Sequence, residues 1–266
     1  MKMDFTENRK KLAGVVLATA LVVGGFGSVA AYAANGNDAV PKDTLISVPE
    51  ATTQQDTAAD KQGEVQYSKD TYSRADGSQN FTMERWYNPK TKDMRSDLKE
   101  YTADHKLIRY QSTYYVIGGS DLTTIQRDQD GKPVSGTILT RTDQSVIFQK
   151  YDTMSFDFNS TKEWFRGGNW SSVGTETTAD GKTLNKVMES YQSYIDDNTQ
   201  ANMQLIEFLD KSTGFPVKEE LYEDSTGQYK LFSSDIMEYK YVSDDGSLFK
   251  TDGVTLTPAT VKSNVK

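Results

Sequence analysis

Cysteine is absent from all 266 residues, and histidine occurs once, at His105. Without thiols the chain has no disulfide framework, no thiolate metal site and no cysteine to carry a lipid, so any stable fold rests on its hydrophobic core. A single histidine leaves His105 as the one candidate base for a Ser-His-Asp type of hydrolysis. It stands in TADHK, a turn-like stretch between two strand-like runs, and reads as a solvated loop residue. No G-x-S-x-G elbow occurs, and the strand-to-helix context that such an elbow or a Ser-x-x-Lys nucleophile needs is missing.

Positive charge is also in short supply. The formal net charge is -8, which argues against nucleic acid or an anionic lipid surface as the main partner. The exception is the N-terminus, where Lys2, Arg9, Lys10 and Lys11 precede a run from Leu12 to Asn37 that carries no charge. A basic start, an apolar stretch and small residues ending in Ala31-Tyr32-Ala33 describe an export signal. The same stretch, Leu12 to Ala34, is long enough to stay in the bilayer as a tether, at about 20 residues per span. Both readings leave the basic flank in the cytoplasm and place the remainder outside. Cleavage after Ala33 would remove four positive and two negative charges and leave -10.

Four regions follow: a signal peptide or anchor over 1–33, a polar linker over 34–63, a β domain over 64–250 and a C-terminal tail over 251–266. The linker holds Pro41 and Pro49 and only a short apolar patch at Leu45, Ile46 and Val48, a composition that buries little. Beyond it Asp-Gly recurs at residues 76–77, 130–131, 180–181, 245–246 and 252–253, joined by Thr213-Gly214 and Thr226-Gly227. These pairs supply the positive φ of tight hairpin turns. The segments between them are rich in Tyr, Val, Ile, Thr and Phe.

Strands are predicted over 65–74, 80–87, 94–101, 107–117, 122–127, 134–142, 146–151, 184–195, 203–209, 217–223, 229–236 and 238–242. The fold class is mainly β, a large curved antiparallel meander of half-barrel type with one or few short helices; the turn spacing also fits a sandwich or closed barrel. One helix is predicted within Phe156–Trp170, with Ser160 and Glu163 as a capping box and Gly167 at its end. In Val217–Tyr222 charges fall on both faces, which places that strand near a rim of the sheet.

Two stretches resemble the LolA-like superfamily of lipoprotein carriers. In ERWYNPKTKDMRSDLKEY, Glu84, Trp86, Pro89 and Arg95 follow its E-x-W … P … R strand-turn-strand. In LIEFLDKSTGFPVKEELYEDSTGQ, Asp210, Lys211, Thr213, Gly214, Pro216, Lys218 and Gly227 follow its D-K-x-T-G-x-P meander. The resemblance covers Gly63 to Phe249 and points to an exported member of Gram-positive type. It implies a curved antiparallel sheet with helices over an apolar concave face, binding acyl chains or other envelope components without catalysis. Two features depart from it: one helix stands where the carriers have several, and the lipidated cysteine of many Gram-positive relatives is missing.

The residues themselves offer little chemistry. Asp196, Asn198, Gln200 and Glu207 have EF-hand-like spacing, but Ala201 stands where the loop needs glycine and the flanks read as strands. No catalytic residue, metal ligand or cofactor is therefore expected. The aromatics say more. Trp86, Tyr110, Tyr114, Trp164, Phe165 and Trp170 are the candidate lining of an apolar groove, the last three beside a Gly-Gly hinge as a lid. The function expected is non-enzymatic: an extracytoplasmic protein, secreted or anchored at the cell surface, that binds an apolar envelope ligand, lipid or lipoprotein. The alternative is a membrane-tethered regulatory or assembly module that binds another envelope protein.

Overall fold

The computed structural model describes residues 64–116, 121–140, 157–194, 200–224, 227–251 and 253–259. The N-terminal hydrophobic segment, the linker and the strand predicted over 146–151 lie outside them. Twelve strands form one open, curved sheet: β1 (Glu64–Arg74), β2 (Asn80–Tyr87), β3 (Asp93–Tyr101), β4 (Leu107–Val116), β5 (Asp121–Arg127), β6 (Pro133–Thr140), β7 (Ser171–Thr177), β8 (Thr183–Tyr194), β9 (Gln200–Asp210), β10 (Pro216–Asp224), β11 (Lys230–Ser243) and β12 (Leu256–Pro258). Among the described residues one helix, α1 (Phe158–Gly167), stands between β6 and β7. The order across the sheet is β12-β6-β5-β4-β3-β2-β1-β11-β10-β9-β8-β7. Two antiparallel meanders, β1 to β6 and β7 to β11, are thus joined where β1 pairs with β11, Glu64 opposite Ser243 through to Arg74 opposite Ser233.

The turns explain the sharp punctuation. Gly77, Gly131, Gly181, Gly214, Gly227, Gly246 and Gly253 all have positive φ, the region L-residues avoid. Three connections share one pattern, in which the side-chain oxygen of Thr102, Asp128 or Thr178 accepts from the backbone N–H of Lys106, Lys132 or Lys182 four residues on. The fourth residue of each, His105, Gly131 or Gly181, is left-handed. His105 is therefore an exposed turn residue, as expected, in a conformation its neighbours give to glycine.

Four expectations change. The strands predicted over 229–236 and 238–242 are one strand of 14 residues. β7, which is Ser/Thr/Gly-rich and exposed along its whole length, lacks the apolar alternation that reveals a half-buried strand. And β10 is not at a rim: it pairs with both β9 and β11, so the charges on its two faces need another cause. The segment read as a tail also returns to the sheet. β12 pairs in parallel with β6, Leu256 opposite Gly136, after a crossing in which the Leu248 carbonyl accepts from Arg95 Nη1 on β3 at 3.4 Å. A Cβ on Gly136 would lie 2.6 Å from Leu256 and 2.8 Å from Val254, so the absence of a side chain there lets the strap settle. Among the described residues no helix is long and apolar enough to cross a membrane.

Candidate functional site

Paired residues in a sheet share a face, so the register divides the side chains. On β1, Gln66, Ser68, Asp70 and Tyr72 point to one face; Tyr67, Lys69 and Thr71 point to the other. The first is the face that α1 covers.

Helix α1 is short, and its ends are fixed by different means. Asp157 is the N-cap, its carboxylate accepting from Ser160 N–H at 2.8 Å, so Ser160 is capped rather than capping. The Phe158 N–H donates to Gln66 Oε1 at 2.9 Å, which ties the first turn to β1. Phe158 then packs edge-on against Phe215, Tyr239 and Tyr241. Phe165, two turns later on the same stripe, is 1% exposed and joins Trp170, Val187, Leu205 and Leu209, with Tyr191 and Leu221 at the margin. Gly168 allows the chain to fold back after the helix, since a Cβ there would collide with the Trp170 indole. Trp164 stays at the surface, 36% exposed, with its ring edge-on to Phe165 at 4.7 Å and to Trp170 at 5.2 Å.

Beneath this aromatic seat runs a row of acids. Phe81, Tyr72, Asp235, Glu219, Glu207 and Val187 lie directly opposite one another on β2, β1, β11, β10, β9 and β8. Three consecutive members are carboxylic acids. Asp70 adds a fourth, one step along β1, with Arg85 Nη1 2.6 Å from its Oδ2. Glu207 is 0% and Asp235 5% exposed; both Glu207 oxygens and Asp235 Oδ1 lack a donor. Burial pushes Glu207 and Asp70 up, the latter against the pull of Arg85. Burial likewise raises Glu219 to about 7, and raises Asp235 to about 8 with help from the Asp70 and Glu219 charges. The Glu207 and Glu219 carboxyls stand side by side across the β9–β10 pairing, a juxtaposition that is favourable only if one of them carries a proton. These acids went unread in the sequence because alternation alone does not distinguish a buried glutamate from a rim one.

The opposite face carries a second network. Arg95 pairs through Nε and Nη2 with both oxygens of Asp97 at 2.9 and 2.7 Å. Its guanidinium lies 4.9 Å from the Trp86 ring and 5.4 Å from Tyr114. Tyr110 donates to Asp97 at 3.0 Å, and its phenol is pushed up to about 12, by burial first and then by that carboxylate. Tyr67 donates to Glu84 at 2.7 Å. The E-x-W … R residues therefore cooperate in ion pairs and cation–π contacts, and the strap crosses beside them. The second resembling stretch is a turn, with Asp210 Oδ1 accepting from Ser212 and Thr213 N–H and Gly214 left-handed.

The six aromatic candidates thus fall in two groups. Trp164, Phe165 and Trp170 form one cluster at the helix; Trp86, Tyr110 and Tyr114 lie across the sheet on the strap face. Ser96-Asp-Leu-Lys99 has Ser-x-x-Lys spacing, but in strand β3 it sends the two ends to opposite faces. Of the EF-hand-like set, Gln200 and Glu207 sit in β9, and residues 196 and 198 lie outside the described residues. Among the described residues no group of three His, Cys, Asp or Glu is placed to hold a metal.

The described residues define a mainly β protein: one open curved antiparallel sheet with an aromatic helix on one face. No protein-family model matches the chain, and no curated protein sequence does. Among solved structures it is similar to a candidate lipoprotein from Parabacteroides distasonis, at 12% identity over 67% of this chain and 96% of that one, with a TM-score of 0.31. A beta-barrel-like protein from Brucella abortus is 12% identical over 68% and 96%, with a TM-score of 0.23. A candidate outer membrane lipoprotein-sorting domain from Vibrio parahaemolyticus is 10% identical over 69% and 86%, with a TM-score of 0.24. Identities this low leave the function of this chain to its own residues.

Proposed function

We propose that this is a non-enzymatic extracytoplasmic protein that holds an apolar envelope ligand, a lipid or the acyl chains of a lipoprotein, at the helix-bearing face of its sheet. The basic and apolar N-terminus supports export, and the resemblance of Glu84–Arg95 and Asp210–Gly227 to LolA-like carriers supports the ligand class. The observation that carries the reading is Trp164. It is an exposed indole set edge-on against two buried rings, on a helix seated by Phe158 at one end and by Phe165 and Trp170 at the other. A helix held at two points, with glycines following, can shift enough to admit a chain while Trp164 covers it. The experiment is solvent extraction and native mass spectrometry of the exported protein: a co-purifying lipid or acylated peptide is expected. A protein that carries none, and that fails to bind a fluorescent fatty acid, overturns the reading.

A second reading, a tethered module binding another envelope protein, draws on β7. This strand is exposed at all seven residues and, among the described residues, pairs only with β8, leaving an edge to which an extended segment could add. An uncut N-terminus in the membrane fraction, with photocrosslinks from β7 to a second protein, would favour it.

A further inference from the structure

Three acids in adjacent register on neighbouring strands are an arrangement that folding normally avoids, because like charges directly opposite one another repel at about 5 Å. Here Asp235, Glu219 and Glu207 are so placed, and the guanidinium of Arg85 is committed to Asp70. Ionised together, these acids would leave uncompensated negative charge on the buried Glu207 and Asp235, beside a partly exposed Glu219, a costly arrangement for a sheet interior. Protonated, the same groups become donors as well as acceptors and can satisfy one another along the row.

The surroundings compensate the row only in part: the Thr71 backbone N–H donates to Asp235, and the Arg74 charge acts on Tyr72. Asp70 and Tyr72 face the row from β1, Arg85 from β2, Tyr239 from β11, and Glu189 and Tyr191 from β8. Burial raises the phenols of Tyr72, Tyr191 and Tyr239 and the carboxyl of Glu189. From α1 and the chain after it come Phe158, Phe165 and Trp170, which are uncharged. Lys162 on the helix lies over the Phe215 ring at 4.5 Å.

The row is also in contact with what holds the helix. Val187 stands opposite Glu207, Leu205 and Leu209 flank Glu207 on the same face of β9, and Leu221 follows Glu219 on β10. Val187, Leu205 and Leu209 are the seat of Phe165 and Trp170, and Leu221 borders it.

We propose that Asp235, Glu219 and Glu207 form a proton-held latch beneath the C-terminal end of α1. While the row keeps its protons, the three strands lie close and the seat for Phe165 and Trp170 is intact. When protons leave to solvent, repulsion and water entry along the row part β9 from β10 and release the helix end. The latch goes beyond the ligand-binding reading and acts whether or not a ligand is present.

The test uses the full exported chain without added ligand. Tryptophan emission and hydrogen exchange over residues 158–170 are followed from pH 5.5 to 9. A transition with its midpoint between about 7 and 8 is expected, with the protection of the helix amides, after correction for the intrinsic base-catalysed exchange rate, falling at least about tenfold on the alkaline side. The neutral variants E219Q and D235N should lose that transition or move it by a full pH unit. A flat wild-type profile overturns the proposal, and so does a transition that both variants leave unchanged. Should the variants fail to fold, infrared spectra of the wild type decide. A protonated-carboxyl carbonyl band at pH 6 that disappears by pH 9 supports the latch, and its absence at pH 6 overturns it. Failure of fatty-acid binding would leave these readouts untouched, so the two ideas fall separately.

Discussion

Glu207 on β9 stands directly opposite Glu219 on β10, both under the aromatic helix, with no donor reaching either oxygen of Glu207. Stability should therefore depend on pH in an unusual sense. A carboxyl whose folded value exceeds its unfolded one binds more protons when folded. Its contribution is complete below the ordinary value, 4.5 for glutamate and 3.8 for aspartate, and is lost as pH rises toward about 7 for Glu219 and about 8 for Asp235. The limiting slope is about 1.4 kcal/mol per pH unit for each proton, and water near the partly exposed Glu219 lowers it. Turn aspartates 76, 104, 180 and 245 act oppositely, since hydrogen bonds in their turns hold them below the usual range and their contribution is lost on acidification. Denaturant melts from pH 3 to 9 should show maximal stability between about pH 4 and 6. A maximum above pH 7 would contradict the buried row.

His105 offers a gain. Its φ of 60° costs an ordinary residue roughly 1–2 kcal/mol, and the matching turns place glycine there. Replacing it, His105→Gly, should stabilise the protein by about 0.5–1 kcal/mol after the extra freedom of the unfolded glycine is set against it. Thermal unfolding should rise by roughly 1–4 °C. A loss of stability would mean that the imidazole makes a contribution the turn geometry does not reveal.

How much of this was legible in the sequence follows from what each signal encodes. Asn80–Tyr87 matches its predicted bounds because Phe81, Met83 and Tyr87 alternate with polar residues and an Asp-Gly turn precedes them. Ser171–Thr177 was missed because an edge strand with no buried side chain has no alternation to show. β12 is three residues long and paired through a contact more than 100 residues away in sequence, which no local pattern encodes. That Trp164, Phe165 and Trp170 come together was legible from their spacing beside the glycines. Assigning Trp86, Tyr110 and Tyr114 a face needed the register, because aromatics line either side of a sheet equally well. The acid row was hidden for a related reason: Asp70, Glu207, Glu219 and Asp235 become neighbours only when β1, β11, β10 and β9 are aligned.

The strap makes its own prediction. Gly136 leaves room for Val254 and Leu256, so Gly136→Val should overfill that contact and cost about 1–3 kcal/mol. The expected sign is local: limited proteolysis should begin to cut near residues 244–255 while the meanders remain protected. An uncut strap would show that β6 can shift to accommodate the side chain.

The aromatic helix separates stability from binding. Phe165 fills the seat between β8 and β9, and its removal, Phe165→Ala, should cost about 3–5 kcal/mol. Trp164 is exposed and contributes mainly its two edge-on ring contacts, about 0.5–1.5 kcal/mol each, so Trp164→Ala should cost roughly 1–2 kcal/mol and leave the protein folded. If Trp164 covers a bound chain, the same variant should weaken a fluorescent fatty acid at least tenfold, because burying an indole against an acyl chain is worth more than the 1.4 kcal/mol that tenfold represents. Both quantities come from one preparation, by denaturant melts and a binding titration. Equal affinity in a folded Trp164→Ala protein would move the ligand away from this helix. Because the Phe165 and Trp170 seat adjoins the acid row, affinity measured at pH 6 and pH 9 then shows whether the proposed latch governs the proposed ligand site.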